Sequence, residues 1–123
     1  MASRREQVQE ETRLRVLRHF DSDPNLSSRE IAKLVGISNG AAYYCINALI
    51  DKGLIKLNNF KSSGKKSNYA YLLTPKGFSE KARLTLKFLE LKRIEFNELK
   101  NEIDQLTSEA GALQQPLGTG KIQ

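Results

Sequence analysis

The sequence predicts a mainly α-helical chain that carries one two-stranded β-hairpin and finishes in a long helix. Three observations carry that expectation. Short apolar stripes at helical spacing stand on either side of Gly36, each opened by a serine. The apolar period then shortens to alternation after Gly53. Beyond Gly77 neither proline nor glycine interrupts the chain until about Ala110, enough for a helix of about 50 Å at 1.5 Å per residue.

The first helix is expected over residues 5–20, where Val8, Thr12, Arg15/Val16 and Phe20 repeat at helical spacing and Leu14 and Leu17 widen the stripe. Asp21-Ser22-Asp23-Pro24-Asn25 stops it. Ser27 and Glu30 have the spacing of a capping box, with Leu26 and Ile31 placed as a hydrophobic staple. The second helix is short, turns Ile31, Leu34 and Val35 inward, and ends at Gly36. Ser38 caps a third helix that runs to about Lys52 and closes at Gly53, with Ala42, Cys45/Ile46 and Leu49 inward. Two short helices joined by a tight glycine-containing turn make a helix-turn-helix.

Leu54, Ile55 and Leu57 open a first strand, residues 60–67 form a loop, and Tyr69, Tyr71 and Leu73 alternate with Ala70 and Leu72 on a second strand. Such a ribbon is marginal alone and has to pack on the helices. Thr74 and Pro75 start the last helix as cap and first residue. Gly77, so near that start, suggests close packing against the wing. Within this helix Ala82, Leu89, Phe96, Ile103 and Ala110 recur every seven residues. Leu99, Leu106 and Leu113 stand three further on, giving a heptad seam that Thr85 and Lys92, at the same position nearer the head, weaken there. Phe78, Leu84, Leu86, Phe88 and Leu91 broaden the apolar surface near the head, as packing on helix 1 requires. The expected organisation is a winged helix-turn-helix over 1–74, a long dimerisation helix over 75–110 and a flexible tail over 111–123.

Net charge is +6, and its placement says more than its size. Residues 1–50 carry seven basic and six acidic side chains, and residues 82–123 carry six of each. Residues 51–81 carry seven lysines against Asp51 and Glu80, so the excess sits in the hairpin segment. A clustered lysine patch is what counterion release on a phosphate backbone rewards. No apolar run reaches the length of a signal peptide or a membrane span, so a cytoplasmic protein without membrane contact is expected. One cysteine, Cys45, and one histidine, His19, offer no disulfide framework, metal cage or catalytic pair. No enzyme activity and no cofactor are expected.

The elements assign roles by geometry. The third helix would enter the major groove of double-stranded DNA with Ser38, Asn39, Tyr43, Tyr44 and Asn47 at base edges or nearby phosphates. Its exposed face has no arginine, the usual reader of guanine, which favours modest readout or A·T pairs. Lys61, Lys65 and Lys66 of the wing, with Arg29 and Lys56 beside them, would hold the backbone. Leu89, Phe96, Leu99, Ile103 and Leu106 would form the homodimer seam. Two other roles fit the same elements: a protein-interaction module, and a subunit that binds nucleic acid without sequence preference.

The run from Ile31 to Leu54, Ile-Ala-Lys-Leu-Val-Gly-Ile-Ser … Leu-Ile-Asp-Lys-Gly-Leu, resembles the helix-turn-helix of MarR-type transcriptional regulators. Leu72-Leu73-Thr74-Pro75-Lys76-Gly77 resembles their Leu-Thr-x-x-Gly step after the wing. The chain as a whole, notably residues 73–83, is similar to small bacterial MarR-like regulators associated with exopolysaccharide (EPS) gene clusters. The resemblance implies a homodimeric repressor or activator at polysaccharide biosynthesis genes. Two features depart from it. The wing reads Lys-Ser-Ser-Gly-Lys-Lys in place of an Asp/Arg pattern. The ends also hold less helical sequence than full MarR proteins use to build their ligand cleft, so a small-molecule effector is not expected.

Overall fold

The computed structural model describes residues 3–61 and 67–114. In chain order these form α1 (Arg4–Ser22), α2 (Ser28–Val35), α3 (Asn39–Asp51), β1 (Ile55–Lys61), β2 (Ser67–Leu73) and α4 (Pro75–Gln114). The chain divides into two compact units, Met1–Leu86 and Lys87–Gln123.

Local chemistry sets most boundaries in the first unit. The Ser27 hydroxyl accepts from the Glu30 N–H at 3.1 Å, and the Glu30 carboxylate accepts from the Ser27 N–H at 2.8 Å. Two orphan donors at the start of α2 are thereby satisfied, worth about 1 kcal/mol. Ser3 and Glu6 build the same box at the start of α1. Their Ser-x-x-Glu spacing carries the same signal, although the stripe alone placed the helix one residue later. Gly36 ends α2 at φ 81°, in the left-handed region. Ser38 then caps α3 by accepting from the Ala41 N–H at 3.0 Å.

The core gathers Val16, Leu17 and Phe20 of α1, Ile31, Ala32 and Val35 of α2, and Ala42, Ile46 and Leu49 of α3, with Leu54 and Ile55. Four expected positions differ. Leu34 is 54% exposed and Ala32 is buried in its place. Val8 is exposed and Arg15 lies outside the stripe, which instead runs through Leu14, Val16, Leu17 and Phe20. Cys45 is half-buried, not sealed in.

β1 and β2 pair antiparallel from Ile55 opposite Leu73 to Lys61 opposite Ser67. The hairpin ladder therefore takes in Phe60, Lys61 and Ser67, which the apolar pattern assigned to the loop. The reason is that backbone pairing needs no apolar side chain. Near the helices Ile55 is buried and Tyr71 and Leu73 pack on the core, so alternation is visible only there. The ribbon is pinned at this end. The Tyr71 N–H donates to the Pro24 carbonyl at 2.8 Å, and the Tyr71 ring lies 4.8 Å from that of Phe20.

Gly77 does pack closely, against Leu54. A Cβ there would overlap the Leu54 carbonyl, which is backbone and has no rotamer to escape into. Thr74 ties the same joint: its N–H donates to the Leu54 carbonyl at 3.0 Å, and its hydroxyl reaches the Gly53 carbonyl at 2.5 Å. That hydroxyl also accepts from the Gly77 N–H at 3.0 Å, capping α4. The start of α4 is joined to α1 by ion pairs, Arg13–Glu80 at 2.7 Å, Lys81–Asp21 at 2.6 Å and Arg83–Glu10 at 3.2 Å. Leu84 is fully buried, while Phe78 and Leu86, expected on the packed side, are exposed.

In the second unit α4 runs through Gly111 to Gln114, four residues past the expected end. One glycine costs a helix only about 1 kcal/mol, and Ala110 and Ala112 beside it are strong helix formers. The remainder of the expected tail, residues 115–123, lies outside the described residues. Phe88 is buried and Leu91 half-buried, and residues 92–110 are exposed throughout.

Candidate nucleic-acid interface

The third helix leaves several polar and aromatic side chains exposed. Tyr43 is 65% and Tyr44 80% exposed, so neither is absorbed by α2 or the wing, the alternative that a helix-packing tyrosine would have taken. Ser38 and Asn39 are exposed at the start of α3. The Ser38 oxygen already accepts from the Ala41 N–H, which leaves its proton to donate outward. Asn47 is half-exposed and spends one amide hydrogen on the Tyr43 carbonyl at 3.0 Å. Its second N–H and its oxygen remain, and these are the two atoms a bidentate adenine contact uses.

Exposed cations stand on other elements. Arg29 is exposed on the first turn of α2, and Lys56 is exposed on β1 opposite Leu72. Lys61 ends the described part of β1, whereas Lys65 and Lys66 fall outside the described residues. Arg15, expected only as part of the stripe of α1, instead sets its guanidinium 3.4 Å from the Val35 carbonyl and places a positive charge at the C-terminal end of α2. That end carries negative partial charge, which favours the contact. Only a tertiary contact joins positions 20 apart, so no local pattern announces it.

Between α1 and α3 lies an apolar recess of about 470 Å³, lined among others by Val8, Thr12, Ile37, Ala41, Tyr44 and Cys45. This is within the size range of small-molecule sites, so the short helical ends do not by themselves deny the chain a ligand cleft. Burial pushes the Cys45 thiol above its ordinary pKa, against a smaller opposing pull from Arg13. The thiol therefore stays protonated near neutral pH, the less nucleophilic form. Glu80 is held down to about 2, first by its hydrogen bond from Arg83 and then, against burial, by Arg13. Among the described residues no group of three or more His, Cys, Asp or Glu side chains is placed to hold a metal ion. Among them also, no helix is long and apolar enough to cross a membrane.

Comparison with known proteins agrees with this architecture. Residues 9–56 match the family model described as winged helix-turn-helix DNA-binding. No curated protein sequence matches the chain significantly. Among solved structures, the PcaV transcriptional regulator of Streptomyces coelicolor superposes with a TM-score of 0.58 at 19% identity, over 83% of this chain and 77% of that one. PcaV has also been solved in complex with its natural ligand. A MarR/EmrR family regulator from Acinetobacter sp. ADP1 gives a TM-score of 0.59 at 24% identity, over 83% and 71%. The transcriptional repressor CouR, solved bound to a 23-mer DNA duplex, gives 0.56 at 25% identity, over 81% and 70%.

The protein has a winged helix-turn-helix fold. More narrowly, that fold is similar to the fold of solved transcriptional regulators, among them one of the MarR/EmrR family.

Proposed function

We propose that the chain is a cytoplasmic, sequence-specific regulator of transcription that binds double-stranded DNA as a homodimer, with exopolysaccharide biosynthesis genes as its targets. The observation that carries the reading is the outer face of α3. Two tyrosines there are left largely exposed on a helix whose opposite face is fully engaged in the core. A stable small domain has no packing reason to keep two large aromatics in water side by side. A groove-facing helix does. Ser38, Asn39, Tyr43, Tyr44 and Asn47 contact base edges and adjoining phosphates, Arg29, Lys56, Lys61, Lys65 and Lys66 hold the backbone, and α4 carries the dimer through Leu89, Phe96, Leu99, Ile103 and Leu106. CouR, of the same fold, is solved on a DNA duplex, which supports the same use here.

Anisotropy titration against the promoter of the chain's own operon, with competitor DNA and a salt series, tests this. Specific regulation gives a clear preference over competitor and a steep salt dependence. Asn39→Ala and Asn47→Ala relax preference at particular base pairs, whereas Lys65→Ala with Lys66→Ala weakens every duplex and flattens the salt slope. No binding at low salt sinks the proposal, and equal binding to all duplexes makes the protein a non-specific binder.

A further inference from the structure

We infer that the part of α4 beyond Leu86 pairs with the same segment of a second copy in parallel, in-register orientation. This rests on the homodimer reading above and adds to it the direction of the helices. Leu89, Phe96, Leu99, Ile103 and Leu106 recur along one seam, and all are exposed in the single chain, Phe96 at 64%. Ile103 and Leu106 supply the β-branched first and leucine fourth position that suit two strands.

Charge beside the seam favours the parallel orientation. Glu95, Glu102 and Glu109 flank it on one side, each immediately before a first-position residue. Lys100 flanks it on the other, immediately after Leu99, and Arg93 stands one repeat earlier, after Lys92 at the fourth position. In a parallel pair the two different flanks face each other, and Glu95 meets Lys100 of the second copy twice per dimer. In an antiparallel pair like flanks meet. Three glutamates would then confront three glutamates along one edge, and Arg93 and Lys100 would confront their equivalents along the other.

The present partners of these groups do not compete strongly. Lys92 reaches Glu95 at 3.3 Å, and Lys100 reaches Asp104 at 3.6 Å, with all four side chains well exposed. Such pairs are weak and exchange freely. A parallel seam also has a consequence for the two heads. The winged-helix unit precedes the seam in the chain, so both heads join it at the same end.

Sedimentation equilibrium of the full chain and two kinds of variant test the orientation. Glu95→Lys places lysine against lysine in the parallel pair and weakens self-association on the order of 5-fold. Lys100→Glu does the same, and a mixture of the two variants forms the heterodimer in excess of the statistical half. Leu113→Cys in a Cys45→Ser background forms an interchain disulfide readily in a glutathione buffer, because position 113 meets its equivalent. In an antiparallel pair Glu95→Lys relieves repulsion and tightens the dimer, the mixture shows no excess, and residue 113 lies at opposite ends of the seam. That set of results, with the wild-type chain still dimeric, overturns the orientation alone. A monomeric wild-type chain overturns the homodimer reading and this inference together.

Discussion

Replacing Gly77 by alanine adds one methyl group where α4 crosses the entry of β1. In an open helix the change is favourable, by up to about 1 kcal/mol, because alanine restricts the unfolded chain more than glycine does. Here the methyl would overlap the Leu54 carbonyl. Backbone cannot rotate aside as a side chain can, so the joint itself has to open. Opening it lengthens the Thr74 N–H bond to Leu54, now 3.0 Å, and the Thr74 hydroxyl bond to Gly53, now 2.5 Å. Each is worth about 1 kcal/mol, and overpacking of this kind costs about 1–3 kcal/mol. The net expectation is a loss of about 2 kcal/mol. Urea unfolding followed by circular dichroism measures it, as a midpoint lowered by about 1–2 M at unchanged slope for a domain of this size. Gly40→Ala is the matched control, since nothing lies within 4 Å of a Cβ at that helical position. It should stabilise by a few tenths of a kcal/mol, roughly what a helix-end glycine returns. A Gly77→Ala protein as stable as the wild type, or both variants moving the same way, refutes the steric argument.

Two further outcomes follow from the caps and the ion pairs. Ser27→Ala breaks the capping box of α2 and should cost about 1 kcal/mol, with amide hydrogen exchange accelerating most at the Glu30 N–H that loses its acceptor. Glu80 has a folded-state pKa lowered to about 2 from 4.5, so it binds a proton more readily when unfolded. Its contribution is fully present above pH 4.5 and is lost as pH falls from there toward 2. Glu80→Gln should therefore be less stable near neutrality, on the order of 1 kcal/mol for a partly exposed pair. Its stability should also fall less steeply in that acid window, and equal slopes for the two proteins would remove the Arg13–Glu80–Arg83 cluster as a stabilising element.

What the sequence determined by itself was local. Ser27 with Glu30, Gly36, Ser38, Gly53 and Thr74-Pro75 each satisfy or terminate backbone groups within a few residues, so spacing alone located the three head helices, the hairpin and the start of α4. The seven-residue apolar repeat of α4 was legible for the same reason, because it recurs along a single helix. The tertiary structure decided everything that depends on which of two adequate residues faces a neighbour. It buried Ala32 and exposed Leu34, left both Tyr43 and Tyr44 in water, set Gly77 against Leu54, and brought Arg15 to the end of α2. It also carried the hairpin ladder to Lys61 and Ser67, where no apolar alternation marks it, and α4 past Gly111 to Gln114. Periodicity reports how often a side chain returns to one face of its own element. Which face meets another element, and how closely, is settled only by the shapes and hydrogen bonds that the other elements bring to it.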